Sequence, residues 1–517
     1  GFFCRGMFRL TWISAVALIL MPTLVWGYVD GYAGRQRVLM MGDSITLQVN
    51  TGVTPTARGV GWQVQEAFAG LANVHIIPEN FQDTDYALSE VSVGVSHIES
   101  WINGETWDVI DFNTGLHDTK VSDSAKYDDP VSYGLKLDQV ISEIQAHSGS
   151  ATLIWRETTF VPNPEGSDRH KAFDGVTPMD NAHEFYNAAA EAVIGLHGIT
   201  LVDSTAAVSV LAPRVGVDNV HYTEAGYRQV AAPVIENIYN QLDLSPGMRV
   251  DFGLPGTSGA IVQEGFHDYQ ADTDSVRFVA TDLGVQNRVE VSISNLSLNG
   301  SRDRGAVNGS GTAMSDLLRD FVFSSSSSPD PLVVTISGLK AGGYTFTGYF
   351  HDNNVFQGVA DMDVSVDGGQ NFTDGLRTTY STGSSPASIG TGSFTFVCDG
   401  TNDIVLHLLT DDSAGGNGSG VLNGFEITAA IPGDANMDGA VNASDATILA
   451  GNWQAHPANW GMGDFNGDGN VNASDATILA GNWQAITSSF NAVPEPIMLT
   501  LLGLGGLGLV IGRFYCR

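Results

Sequence analysis

Between about residues 36 and 243 the sequence alternates two patterns, and that alternation limits the fold more than any other feature. Apolar runs at Val38–Met41, Val74–Ile77, Val109–Phe112, Thr152–Trp155 and Ile199–Val202 are short and continuous. Such runs read as strands buried on both faces of a parallel sheet. Helical patterns lie between them, as at Val131–Ala146 and Asn181–Leu196. Parallel neighbours need crossovers, so repeated strand–helix order predicts an α/β sheet with helices on both faces. Thr223 is placed to cap a last helix, with Glu224 in its first turn, where the dipole favours a negative charge.

The chain has 517 residues, too many for one core, and its composition changes after Pro246. From 247 to about 430 it is rich in Gly, Ser, Thr, Val and Asp. Short alternating runs recur at Arg288–Ile293, Leu332–Ile336, Tyr344–Phe350, Met362–Val366, Ser393–Val397, Ile404–Leu409 and Gly424–Thr428. Turn pairs such as Asp367-Gly368 and Asp399-Gly400 separate some of them. This pattern predicts a β-sandwich, jelly-roll-like in kind. The formal net charge of −34 argues against nucleic acid as a partner, because phosphate binding needs clustered Lys and Arg. It suits an exported protein that binds divalent cations. Cys4, Cys398 and Cys516 are the three cysteines. The first and last fall in segments with the look of processing signals, so the folded domains hold Cys398 alone and no disulfide framework.

Two short segments carry the chemistry of the first domain. Gly42-Asp43-Ser44 follows the first apolar run, and Asp218-Asn219-Val220-His221 comes near the domain's end. A serine ending a buried strand presents its hydroxyl at the carboxyl edge of the sheet, where α/β proteins bind ligands. His221 would take the proton from Ser44, and Asp218 would fix the imidazole tautomer and stabilise the imidazolium. A helix starting just after Ser44 would aim N–H groups at a developing oxyanion.

With these blocks the chain resembles the SGNH, or GDSL-like, hydrolase family. Gly42-Asp43-Ser44-Ile45-Thr46 is similar to its first block, and Asp218–His221 followed by Tyr222-Thr223-Glu224-Ala225-Gly226-Tyr227 to its last. The resemblance covers residues 36–243 and implies a flavodoxin-like three-layer fold and ester hydrolysis through an acyl-serine intermediate. The family's third block reads Gly-x-Asn-Asp, with the Asn in the oxyanion hole. Here Asn113-Thr114-Gly115-Leu116-His117-Asp118 puts His117 in that place, and a neutral imidazole N–H can donate as an amide does. The oxyanion donors implied are therefore Ser44 and His117. The second block normally contains a glycine, and Glu79-Asn80-Phe81-Gln82-Asp83-Thr84 has none. Arg156 follows a strand and is open to two readings, a substrate ligand in the cleft or a surface or helix-pairing residue. His97, His147 and His197 read as structural or exposed.

Residues 431–485 contain a duplication: Asn442–Ala455 and Asn472–Ala485 share one string, Asn-Ala-Ser-Asp-Ala-Thr-Ile-Leu-Ala-Gly-Asn-Trp-Gln-Ala. Each copy follows an acidic loop. Asp434, Asn436, Asp438, Asn442 and Asp445 place oxygens at positions 1, 3, 5, 9 and 12 of the first loop; Ala440 adds its carbonyl at position 7, and Gly439 allows the sharp turn. Asp464, Asn466, Asp468, Asn470, Asn472 and Asp475 repeat the set in register. So many hard oxygens fit Ca²⁺ rather than a transition metal. The tandem resembles a type I dockerin module, which implies structural calcium and a cohesin-like protein partner.

Both ends read as sorting segments. Met7 to Gly27 has a basic start at Arg9, an apolar stretch from Ile13 to Trp26, and Val25 and Gly27 small enough for cleavage after Gly27, the pattern of an export signal peptide. Residues 493–517 resemble a PEP-CTERM sorting signal: Val493-Pro494-Glu495-Pro496, then an apolar run from Ile497 to Gly512 barely long enough for a transmembrane helix, then Arg513 and Arg517. That resemblance implies an exosortase-like sorting enzyme as partner and a cell-envelope or extracellular location. The function expected is an exported serine esterase acting on acylated carbohydrate. The alternative is a non-catalytic cell-surface glycan-binding or adhesion protein built on an SGNH-like scaffold.

Overall fold

The structure is a computed structural model that describes residues 28–47, 58–120, 127–160, 182–207, 220–253, 261–271, 275–305, 314–353, 358–383, 389–410 and 419–486. The leader at 7–27, the tail at 493–517 and Asp218 lie outside the described residues. Among the described residues no helix is long and apolar enough to cross a membrane.

Arg37–Met41 (β1), Asn73–Ile76 (β2), Val109–Phe112 (β3), Thr152–Arg156 (β4) and Thr200–Val202 (β5) pair in parallel in the order β2-β1-β3-β4-β5. This is the flavodoxin-like order, and its switch point lies between β1 and β3. The helices are α1 (Val60–Ala67), α2 (Thr84–Leu88), α3 (His97–Ile102), α4 (Pro130–His147), α5 (Ala182–His197), α6 (Ser204–Ala207) and α7 (Glu224–Tyr239). Successive strand side chains point to opposite faces. Val38, Met40, Val109 and Ile154 therefore pack on α1 and α7, with Val60, Val64, Val230 and Val234. Leu39, Met41, Ile110 and Trp155 pack on the other face with Trp101, Leu137, Ile141 and Ile194. Both faces are covered, which is why the strands read as unbroken apolar runs. Asp129 caps α4 by accepting from Val131 and Ser132, with Pro130 opening the helix, and Thr223 caps α7 by accepting from Gly226.

The chain then builds two six-stranded sheets. Met248–Gly253 (β6) and His267–Gln270 (β7) extend the sheet that contains Gly342–Asp352, Gly390–Cys398 and Gly424–Ala429. Val276–Ala280 (β8) is an edge of the other, beside Arg288–Ser294, Leu332–Ser337, Ile404–Leu409, Val359–Ser365 and Thr373–Thr379. Phe252, Phe346, Phe425 and Ile427 of the first meet Val291, Val334, Ile336 and Leu406 of the second in one core. The seven runs named from sequence are all strands. β6 and β7 escaped notice because they carry buried charges, Asp251 at 2% and Asp268 at 9% exposure, where a strand pattern calls for apolar residues. Cys398 is a free, buried thiol at the end of its strand.

The sandwich is joined to the α/β unit through shared core. Phe278 and Ala280 of β8 belong to the apolar cluster of α1 and α7. Two guanidinium groups lie over the Phe278 ring, Arg228 at 5.0 Å and Arg288 at 4.3 Å from its centroid. Its N–H donates to Glu66 Oε1 at 3.1 Å, and the Asp268 N–H donates to the Ala69 carbonyl at 2.9 Å.

The duplicated segment folds as two loop–helix units, α8 (Ala443–Gly451) and α9 (Ala473–Gly481), each opened by an Asn/Asp capping box. The units clasp each other through backbone bonds: Gln454 N–H to Val471 O and Gln484 N–H to Val441 O, both at 2.9 Å. Trp460 is buried in their joint core with Phe465, Val441 and Val471, and Val397 of the sandwich packs against the same cluster.

Candidate active site and calcium loops

Ser44 follows β1 at the carboxyl edge of the sheet, in a turn organised by Asp43. The Asp43 carbonyl accepts from Thr46 (3.0 Å) and Leu47 (3.1 Å), and its Oδ1 accepts from the Ile45 N–H at 2.8 Å. Those three N–H groups are committed to Asp43, so any oxyanion donor from this turn has to be the N–H of Ser44 itself. His221 lies two residues before Thr223, the cap of α7, and its Nε2 lies 2.8 Å from Ser44 Oγ. Two residues 177 positions apart thus meet within hydrogen-bond range, as the paired motifs require. Glu224 fixes the start of α7 against α1: its Oε1 accepts from Gln63 Nε2 at 2.6 Å and its Oε2 from the Arg58 N–H at 2.9 Å.

The segment after β3 lies on the other side of the switch point. Asn113 is buried and ties strands together: its N–H donates to Met41 O at 3.0 Å and its Nδ2 to Arg156 O at 2.7 Å. His117 is half-buried in the loop that follows, and its carbonyl accepts from the Lys120 N–H at 3.1 Å. Asp118 is fully buried, accepts from the Thr84 hydroxyl at 2.8 Å and N–H at 3.2 Å, and so joins the second and third sequence blocks. Burial pushes its carboxyl up to about 7, against the opposing pull of the Thr84 donors.

In the glycine-free second block the chain still turns sharply. Gln82 takes the left-handed conformation at φ 57° that a glycine would adopt freely. Its N–H donates to Asn80 Oδ1 at 2.8 Å, and the Phe81 N–H to Gly42 O at 3.1 Å. Arg156 fits neither reading offered by the sequence. It is 1% exposed and bonds to Asp111 and Thr46 inside the sheet. The sequence did carry a signal for this network: Asp111 is the one charge within the apolar run Val109–Phe112. His97 is structural, with Nδ1 at 2.9 Å from Ser89 O and its ring against Tyr86. His197 lies at 2.7 Å from Asp138.

Each acidic loop gathers its carboxylates around backbone N–H groups. Asp434 Oδ2 accepts from Gly439 and Asp464 Oδ2 from Gly469, both at 2.8 Å, with the two glycines at positive φ. Asp445 and Asp475 are 0% exposed, and Asp434 and Asp464 only 1% and 3%. Burial and the neighbouring carboxylates hold Asp434 and Asp464 above the usual carboxylate range. Buried like charges with no cationic side chain in the donor set fit a hard dication. Asn442 and Asn472 also cap α8 and α9, accepting from Ser444 and Ser474. The Ala440 carbonyl accepts from Asn442 Nδ2 at 3.2 Å, and Asn470 Nδ2 donates to Asp468 O at 3.0 Å. Among the described residues, Glu99, Glu143 and His147 also bring ligand atoms within 4.8 Å of one another, half-buried on α3 and α4; there Glu143 Oε1 already accepts from the Ser96 hydroxyl.

Residues 432–482 match the family described as the dockerin type I domain. No curated protein matches the chain. Among solved structures, an aryl esterase from M. smegmatis is 17% identical, with 40% of this chain and 100% of that one covered, at a TM-score of 0.30. Est24, a carbohydrate acetylesterase from Sinorhizobium meliloti, is 16% identical over 38% of this chain and 96% of its own, at 0.28. A GDSL-like lipase from Bacteroides thetaiotaomicron VPI-5482 is 18% identical over 40% and 89%, at 0.29. Likeness at this level assigns no activity; the strand order and the Ser44–His221 contact stand on their own.

Proposed function

We propose that residues 36–243 form a serine esterase of the SGNH type. The 2.8 Å contact between Ser44 Oγ and His221 Nε2 at the switch point of the sheet carries this reading. In it, His221 removes the Ser44 proton as Oγ attacks the ester carbonyl. Asp218 holds the imidazole tautomer, and the Ser44 N–H and the His117 side chain stabilise the oxyanion. Collapse of that intermediate expels the alcohol, which takes the proton from His221. Water then cleaves the acyl-serine by the same path in reverse.

The substrate class we infer is acylated carbohydrate, acetyl esters first. The linked sandwich and dockerin-like module favour a polymeric target at the cell surface. Residues 434–445 and 464–475 would hold one Ca²⁺ each, and a cohesin-like protein is the partner such a module implies. Export and envelope sorting remain part of the proposal, through the leader and the PEP-CTERM-like tail.

The commitment of the Phe81 and Gln82 N–H groups within the second block favours the alternative, a glycan-binding protein on an inactive scaffold. Hydrolysis of acetylated xylan, pectin and short acyl esters by wild type and Ser44→Ala separates the two. Ser44-dependent turnover is expected. Equal rates for both proteins would remove the esterase reading, and glycan binding by an inert serine would establish the other.

A further inference from the structure

Three polar side chains that bond to one another lie buried beside the serine turn. Thr46 and Asp111 are 0% exposed and Arg156 is 1% exposed. Asp111 stands on β3 and Arg156 ends β4, the next strand. Arg156 Nε and Nη2 both reach Asp111 Oδ1, at 3.2 and 3.0 Å. The same Nη2 donates to Thr46 Oγ1 at 2.8 Å. Thr46 is two residues beyond Ser44. Its N–H is held by Asp43 O at 3.0 Å, and its carbonyl accepts from the Gly61 N–H at 3.0 Å. The turn is closed in from β1 as well: a Cβ at Gly42 would lie 2.0 Å from Thr46 Oγ1 and 3.3 Å from Arg156 Nη2.

Stability alone does not explain this group. Replacing a buried ion pair by apolar side chains of similar volume is often neutral or stabilising, so a pair kept in the sheet needs another use. A guanidinium fork is planar and rigid, and fixes the direction of each bond it donates. One carboxylate oxygen receives two of its donors, and the bond that leaves the pair ends on the serine turn.

We propose that Arg156, oriented by Asp111, positions Ser44 through the Thr46 hydroxyl. Arg156 and Thr46 touch no reacting atom; they are positioning residues. The assignment rests on Ser44 being the nucleophile. Its leverage comes from geometry, because a displacement of about 1 Å at a reacting atom costs about a hundredfold in rate.

Substituting Arg156 would strand the Asp111 charge and mix positioning with folding, so the test uses Thr46. Thr46→Val keeps the shape and removes the acceptor, and Thr46→Ser keeps the acceptor. For the full chain, Thr46→Val is expected to lower kcat, and the rate of fluorophosphonate labelling at Ser44, by about tenfold to a hundredfold with KM nearly unchanged. Thr46→Ser is expected to restore most of the rate. A Thr46→Val protein with wild-type kcat overturns the proposal, and so does a Thr46→Ser protein as slow as the valine variant, since the lost methyl packing would then be responsible. A wild type inert to both esters and fluorophosphonate overturns this proposal and the esterase reading together. Ser44-dependent turnover unaffected by Thr46→Val overturns this one alone.

Discussion

Replacing Phe278 by alanine tests whether the sandwich is part of the α/β unit's core. The side chain is 0% exposed and sits among residues of α1 and α7, although it comes from β8. Truncating a buried Phe to Ala removes transfer energy and leaves a cavity, together about 3–5 kcal/mol. The ring also carries cation–π contacts with Arg228 and Arg288, and each such contact contributes about 0.5–2 kcal/mol depending on desolvation. Phe278→Leu keeps apolar volume and loses only the ring face, so a cost of about 1–2 kcal/mol is expected from that loss. The assay is urea unfolding combined with hydrogen exchange resolved by peptide. Phe278→Ala should lower amide protection in α1 and α7 as well as in β8. Protection unchanged in α1 and α7, with loosening confined to the sandwich, would refute a shared core. So would a total cost below about 1 kcal/mol, since a filled socket cannot be vacated that cheaply.

The remaining expectations concern charge and metal. Burial holds Asp118 up at about 7, above the range of an unfolded Asp, so its contribution to stability is fully present below about pH 4 and is lost as pH rises to about 7. Asp118→Asn should therefore flatten the decline in unfolding free energy across that window, measured by urea titration at several pH values; an unchanged slope would contradict it. Trp460 Nε1 donates to the Asp434 carbonyl at 2.7 Å, so its emission should report the state of the first loop. Chelating Ca²⁺ is expected to red-shift that emission and melt α8 and α9 while ester turnover by the full chain persists. Loss of turnover in chelator would mean that the loops and Ser44 are coupled.

The first sheet was legible because each strand is buried on both faces, which writes it as a continuous apolar run; all five were placed to within a residue or two. Ser44 and His221 were legible because each sits in a distinctive local string. Arg156 was not, because its partners Asp111 and Thr46 are neighbours only after β1, β3 and β4 align, and a lone charge after a strand looks the same whether it faces water or the core. Phe278 raises the same difficulty at larger scale. It alternates as a sandwich residue should, and nothing local says that its outward face meets another domain. Among the sandwich strands missed, β6 and β7 hold buried carboxylates where a strand pattern calls for apolar residues, as Asp251 does beneath Gln263, whose N–H it accepts at 2.8 Å.

Cys398 gives the molecule an internal clock. Its thiol is 2% exposed, burial raises its pKa, and the residue before it touches the core of the loop–helix module. A thiol reagent can reach it only when that end of the sandwich opens, so the alkylation rate at this peptide equals the intrinsic rate multiplied by the fraction open. Measured with and without Ca²⁺, that single rate gives the free energy with which a filled module holds the neighbouring strand shut, with no engineered probe.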